Sequence, residues 1–125
     1  MSDLNILIVD DSVTMRRILV NTLGKIGYSN VIEATDGKDA LAKMYSEKVD
    51  FIITDWNMPE MSGLEFVQSV RGDEYFKNIP ILMVTTRSLK DDIITALKAG
   101  INNYVVKPFT PEVLDKKIKE ILSKK

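Results

Sequence analysis

The sequence contains no cysteine and no histidine. That removes disulfides, thiolate nucleophiles and imidazole bases together, and with them most zinc sites. Charge of one sign is also lacking. The 17 lysines and arginines nearly balance 18 acids, for a net charge of −1, and the cations are scattered. No nucleic-acid footprint is visible in that pattern. No apolar run approaches the ~20 residues that a membrane span needs. The opening MSDLNILIVDD has no basic flank and no small-residue cleavage site, so a mature cytoplasmic chain without membrane insertion is expected. No repeat, linker or low-complexity segment is visible, and 125 residues suit one domain.

What remains for chemistry is carboxylate, hydroxyl and ammonium. The stretch Asp50 to Gly63, DFIITDWNMPEMSG, shows where they gather. Phe51-Ile52-Ile53-Thr54 reads as a strand covered on both faces, since it is apolar without alternation. It runs directly into Asp55. A turn at Asn57-Met58-Pro59 follows, and then Ser62 with Glu65 forms a capping box for a helix through Arg71.

The same unit recurs along the chain. Leu4 to Val9 is an apolar run ending in Asp10-Asp11. Ser12 can cap a helix whose apolar positions are Met15, Ile18, Leu19, Thr22, Leu23 and Ile26, with Gly27 as its stop. Val31 to Thr35 is a short strand, and Asp36 can cap a helix with Ala40, Leu41 and Met44 inward. Ile81 to Thr85 is the fourth strand. Ser88 and Asp91 suggest another capping box, for a helix ending at Gly100. Asn103 to Val106 is the fifth strand. Thr110 caps the last helix with Pro111 at its first position, and the apolar stripe is Val113, Leu114, Ile118, Ile121 and Leu122. Five βα units with short connections predict an α/β fold, a parallel sheet with helices on both faces.

Ligands of such sheets collect beyond the carboxyl ends of the strands. Those ends carry Asp10-Asp11, Asp55, Thr85-Thr86 and Lys107-Pro108. Adjacent strands lie ~4.8 Å apart, so if strands one, three, four and five are consecutive in the sheet, three carboxylates, a hydroxyl and an ammonium share one pocket. Like charges that close disfavour one another unless a cation joins them. Lys107 supplies one positive charge, and a hard divalent ion such as Mg²⁺ could supply more. Asp55 is then a candidate nucleophile, because carboxylates form acyl phosphates. Thr85 and Lys107 are suited to holding phosphoryl oxygens. Taken singly, each of these residues has a plain reading as a solvated helix start or strand end. Only their joint placement argues for a site.

The segments ILIVDDSVTMRR, DWNMPEMSG, ILMVTT and YVVKPFTP resemble the receiver domain of bacterial two-component response regulators, in its single-domain chemotaxis branch. The resemblance covers about Asn5 to Leu122. It implies a flavodoxin-like (βα)5 fold with strand order 2-1-3-4-5, with residues 1–125 as the receiver and no output domain. It further implies that Asp55 is the phosphoacceptor, taking its phosphoryl group from a histidine kinase. Asp11, Asp55 and the Asn57 carbonyl would ligate Mg²⁺, with Asp10 bound through water. Lys107 would pair with phosphoryl oxygens and Thr85 would hydrogen-bond one of them. The Lys107-Pro108 bond would be cis.

Tyr104 would rotate inward as Thr85 moves, and a face including Lys90, Ile93, Tyr104 and Lys117 would meet the flagellar motor switch protein. On its own, Tyr104 reads equally as an ordinary half-buried strand aromatic. A phosphatase partner is compatible with this scheme, and a monomer is expected. The chain would be a switch, assisting only its own phosphorylation and dephosphorylation.

Two positions refine the pattern. Arg87 stands two residues after Thr85, where the familiar chemotaxis form has Glu, and a cation there should tune phosphoryl lifetime. Asn102-Asn103 replaces small residues, and Asn tolerates positive φ. Rival readings are a phosphorelay or kinase-adaptor receiver and a haloacid-dehalogenase-type phosphatase. The latter needs Asp-x-Asp, which Asp10-Asp11-Ser12 does not supply. A flavodoxin-like nucleotide binder would need a Gly-rich phosphate loop, and none is present.

Overall fold

In a computed structural model, which describes residues 4–123, successive residues of each inner strand serve two different cores. From β1 (Ile6–Val9), Leu7 and Val9 join one buried cluster while Ile6 and Ile8 join the other. β3 (Phe51–Thr54) divides in the same way, with Ile52 in the first cluster and Phe51 and Ile53 in the second. Period-two alternation with apolar residues at every position is what a sheet covered on both faces requires.

The chain alternates strand and helix throughout: β1, α1 (Val13–Lys25), β2 (Val31–Ala34), α2 (Gly37–Ser46), β3, α3 (Gly63–Arg71), β4 (Ile81–Thr85), α4 (Lys90–Ala99), β5 (Asn103–Val106) and α5 (Pro111–Ser123). All five strands are parallel, in the order β2-β1-β3-β4-β5. This is the flavodoxin-like architecture that the resemblance implied. The first cluster takes Ala40 and Met44 of α2, Phe66, Val67 and Val70 of α3, and Ala96 of α4. The second takes Leu19 and Leu23 of α1, and Leu114, Ile118 and Ile121 of α5.

Most helix starts are those predicted. Ser12 Oγ accepts from the Met15 N–H at 3.1 Å, and Asp36 Oδ1 accepts from the Asp39 N–H at 2.8 Å. The Ser62–Glu65 capping box closes in both directions. Thr110 Oγ1 accepts from the Val113 N–H at 3.2 Å. Gly27 has φ 103 beyond the end of α1, and Gly100 has φ 120 at the end of α4, so both stops use the left-handed freedom of glycine.

Some expectations are corrected. α4 begins at Lys90 with Leu89 at its cap and no side-chain cap bond, so Ser88 and Asp91 form no capping box. Asp91 and Asp92 instead place negative charge in the first turn, where the helix dipole favours it. The ladder of β1 starts at Ile6 rather than Leu4, and that of β2 stops at Ala34. Ile18 and Val113, assigned to inner stripes, are exposed, which leaves narrower buried faces on α1 and α5.

Candidate functional site

Strand register creates the site. Val9 lies beside Thr54, so the next residues, Asp10 and Asp55, leave the sheet side by side. Thr85 pairs with Val106, which carries Lys107 one residue past the end of β5. The Lys107 ammonium reaches back across the strand ends to lie 3.0 Å from Asp10 Oδ2 and 3.0 Å from Asp55 Oδ2. Its backbone N–H donates to the Thr85 carbonyl at 2.8 Å. The Lys107-Pro108 peptide is cis.

The three side chains differ in access. Asp10 is 2% exposed, Lys107 10% and Asp55 12%. Burial works against the ammonium, but hydrogen bonds and Coulombic attraction from Asp55 and Asp10 outweigh it and raise the Lys107 pKa. Lys107 is thus a permanent cation facing two carboxylates. Asp55 is also fixed from its other oxygen, because Oδ1 accepts the Trp56 N–H at 2.6 Å. Asp10 Oδ1 accepts the Ser12 N–H at 2.9 Å.

Asp11 stands apart. It is exposed, and its carboxylate makes no hydrogen bond or ion pair among the described residues. No group of three or more acidic side chains closes around one point there either, and the Lys107 ammonium stands between Asp10 and Asp55. The donor chemistry still fits a hard divalent cation. Every available ligand is an oxygen, and Asp11 is a carboxylate without a competing partner beside two that are partnered.

Arg87 bridges the mouth of the pocket. Its Nε and Nη2 donate to Asn57 Oδ1 at 3.2 and 3.0 Å, and its guanidinium lies 4.4 Å from the centroid of the Trp56 ring. Nη1 is 3.7 Å from Asp92 on α4. Its backbone takes part as well. The N–H donates to Thr85 Oγ1 at 3.4 Å, and the carbonyl accepts from Tyr104 Oη at 2.6 Å. The loop after β4 therefore joins Thr85, the turn after Asp55, and Tyr104.

Tyr104 points inward and is 8% exposed. Burial, then the negative charges of Asp92 and Asp55, push its pKa up to about 12, with Arg87 opposing. Of the other residues placed on the partner face, Lys90 is exposed and Ile93 half-buried against the first core cluster. Lys117 is half-buried, with Nζ 3.4 Å from Asn103 Oδ1.

Three contributions escaped the sequence reading. A Cβ on Gly63 would come within 1.9 Å of the Asp55 carbonyl oxygen, so only glycine lets α3 start this close to Asp55. Glycine directly after the Ser62 cap was the available signal. Asn102 does not use positive φ; among the described residues Glu60 is the only non-glycine that does. Asn102 Oδ1 instead accepts from the Ile81 N–H at 2.8 Å and from Arg71 Nη2 at 3.0 Å, tying β4 to α3. Arg16 carries no local signal in the sequence; its Nη1 donates to the Asp10 carbonyl at 2.6 Å.

Known proteins resemble the chain in sequence and fold. The profile of the response regulator receiver domain matches residues 6–119. The chain is 54% identical over 120 residues to chemotaxis protein CheY1 of Helicobacter pylori, covering 95% of this chain and 97% of that one. The solved structure of chemotaxis response regulator CheY4 of Vibrio cholerae is similar with a TM-score of 0.88 and 40% identity, over 96% of this chain and 99% of that one. The receiver domain of sensor histidine kinase PA1611 of Pseudomonas aeruginosa, solved with a magnesium ion coordinated in the active site cleft, is similar at a TM-score of 0.87 and 26% identity. That match covers 98% of this chain and 99% of that one. A family profile spanning nearly the whole sheet, and a relative of this identity over nearly its full length, mean that the chain belongs to the response regulator receiver domain family.

Proposed function

We propose that this chain is a phosphorylation-activated response regulator, with Asp55 as phosphoacceptor. The observation that carries the reading is the Asp55 carboxylate itself, held at the rim of the pocket between the Lys107 ammonium and the Trp56 N–H. In the reaction the P–N bond of a kinase phosphohistidine breaks and a P–O bond to an Asp55 oxygen forms. The leaving imidazole keeps its electron pair and takes up a proton. The Trp56 N–H fixes the plane of the carboxylate, which favours in-line approach. Lys107 faces the transferred group and opposes the charge on its oxygens. Thr85 supports a further hydrogen bond to that group. With Asp11, Asp55 and the Asn57 carbonyl as ligands and Asp10 through water, Mg²⁺ would neutralise charge on the phosphoryl oxygens.

The partners proposed are a chemotaxis-type histidine kinase and, for the phosphorylated form, the flagellar motor switch protein. The similarity to chemotaxis proteins over nearly the whole chain supports this choice. Signal would pass from the acyl phosphate through Thr85 and the Arg87 loop to Tyr104, which share hydrogen bonds. The α4–β5–α5 face, with Lys90, Ile93, Tyr104 and Lys117, would then meet the partner. A cytoplasmic location is consistent with the described helices, none of which is long and apolar enough to cross a membrane. A second reading, as a phosphorelay receiver, draws on the likeness to a histidine-kinase receiver, at lower identity.

The test is phosphorylation by acetyl phosphate with Mg²⁺, read as a phosphate mass gain together with Trp56 fluorescence. A gain that requires both Mg²⁺ and Asp55 is expected. A gain retained in Asp55→Asn would refute the assignment. Tighter binding of the phosphorylated form to purified motor switch protein supports the chemotaxis reading. Transfer onward to a phosphotransfer-domain histidine, with no switch binding, supports the relay.

A further inference from the structure

The two acids at the end of β1 are anchored very differently. All of Asp10's polar atoms are held: its N–H by the Ala34 carbonyl at 3.1 Å, Oδ1 by Ser12, Oδ2 by Lys107, and its carbonyl by Arg16. The carboxylate of Asp11 has no such anchor among the described residues. What is held beside it is the backbone, the planar peptide unit joining Asp10 to Asp11. Fixing one carbonyl fixes that whole plane.

Arg16 does the fixing. It sits in the first turn of α1, where its backbone N–H donates to the Ser12 carbonyl at 3.0 Å. Its side chain is only 12% exposed. While Nη1 grips the Asp10 carbonyl at 2.6 Å, Nε is held 3.1 Å from Glu33 Oε1 on β2. The planar fork of a guanidinium can hold two acceptors in a set geometry, which an ammonium cannot. Glu33 also keeps the guanidinium on the β2 side of the strand end.

We propose that Arg16 is a positioning residue for cation binding: by gripping the Asp10 carbonyl it orients the Asp10–Asp11 peptide, and so aims the Asp11 carboxylate at the pocket. The inference rests on the reading of the pocket as a Mg²⁺-assisted phosphoryl site. It makes a prediction opposite in sign to simple electrostatics. A positive charge beside an acidic pocket repels a divalent cation, so deleting it should tighten binding if charge were all that mattered. Deleting an orienting group should weaken binding, as loss of outer-sphere partners generally does.

Calorimetric titration with Mg²⁺ alone, without phosphodonor, separates these outcomes. Arg16→Ala is expected to weaken Mg²⁺ affinity about tenfold, within the range for lost orienting contacts. Arg16→Lys keeps the charge but cannot hold both acceptors, and it should also weaken binding, by less. Urea unfolding without Mg²⁺ checks that each variant is folded, and Arg16→Lys decides the question if Arg16→Ala is not. Unchanged or tighter binding in a folded variant overturns the proposal. No Mg²⁺ binding by the wild-type protein overturns the pocket reading itself, and this inference with it.

Discussion

Tyr104 Oη donates a 2.6 Å hydrogen bond to the Arg87 carbonyl, so β5 is latched to the loop that leaves β4 beside the proposed acceptor, Asp55. The latch joins the aromatic of the proposed partner face to the residue whose N–H contacts Thr85. Any movement of that loop must either carry Tyr104 with it or break this bond.

The latch has a pH signature. Burial raises the Tyr104 pKa from 10.0 to about 12. A raised folded-state value means that the stabilisation from neutral Tyr104 is complete below pH 10.0 and is lost as pH rises toward about 12. Tyr104→Phe should cost about 1 kcal/mol at neutral pH through the missing hydrogen bond. Wild type should lose stability relative to that variant across the alkaline window. Urea unfolding of both proteins against pH checks this, and parallel curves would contradict the latch.

Arg87 covers the turn after Asp55 through Asn57 and the Trp56 ring. Arg87→Glu removes both contacts and should open the phosphorylated pocket to water. A cation–π contact of about 0.5–1 kcal/mol corresponds to a two- to fivefold faster loss of phosphate. Decay of the phosphorylated protein after donor removal provides the measurement. Identical decay curves would show that the bridge does not guard the site.

Lys107 holds apart two largely buried carboxylates. Lys107→Ala leaves them facing each other without their cation, and the expected cost is about 3 kcal/mol. Because the variant loses a competitor for the same oxygens, added Mg²⁺ should restore its stability more than it raises that of wild type. Denaturation midpoints with and without Mg²⁺ test this. An equal gain in both proteins would count against a shared site.

Gly63 lets the start of α3 lie against the backbone of Asp55, the proposed acceptor. Its N–H donates to the Trp56 carbonyl at 2.7 Å, and an added Cβ would fall on the Asp55 carbonyl oxygen. Gly63→Ala must displace either α3 or Asp55. It should lose at least about 2 kcal/mol of stability and most of its phosphorylation by acetyl phosphate. A folded variant phosphorylated at the wild-type rate would show that the approach can relax without cost.

Much of the fold was legible in the order of residue types. Unbroken apolar runs such as Ile6–Val9 and Ile81–Thr85 mark strands buried on both faces, and the caps at Ser12, Asp36, Ser62 and Thr110 mark helix starts. These signals are local, because a strand needs only a few apolar neighbours and a cap acts within three residues. The Ser88–Asp91 pattern misled because the same residue types also suit a first turn that is stabilised by charge without a cap bond.

By itself the sequence determined that acids, a hydroxyl and an ammonium would stand at strand ends, since each directly follows or closes an apolar run. Which ends would be neighbours depended on strand order, and that order depends on crossovers and packing that no single segment encodes. Only the tertiary structure decided that Lys107 would bridge Asp10 and Asp55, that Arg87 would lie over Trp56, and that Arg16 would grip the Asp10 carbonyl. Long side chains reach whichever acceptor the fold brings near, and their partners here are separated from them by as many as 97 residues. Contacts at that separation carry no local signature, because the chain between them is held by the packing of both cores.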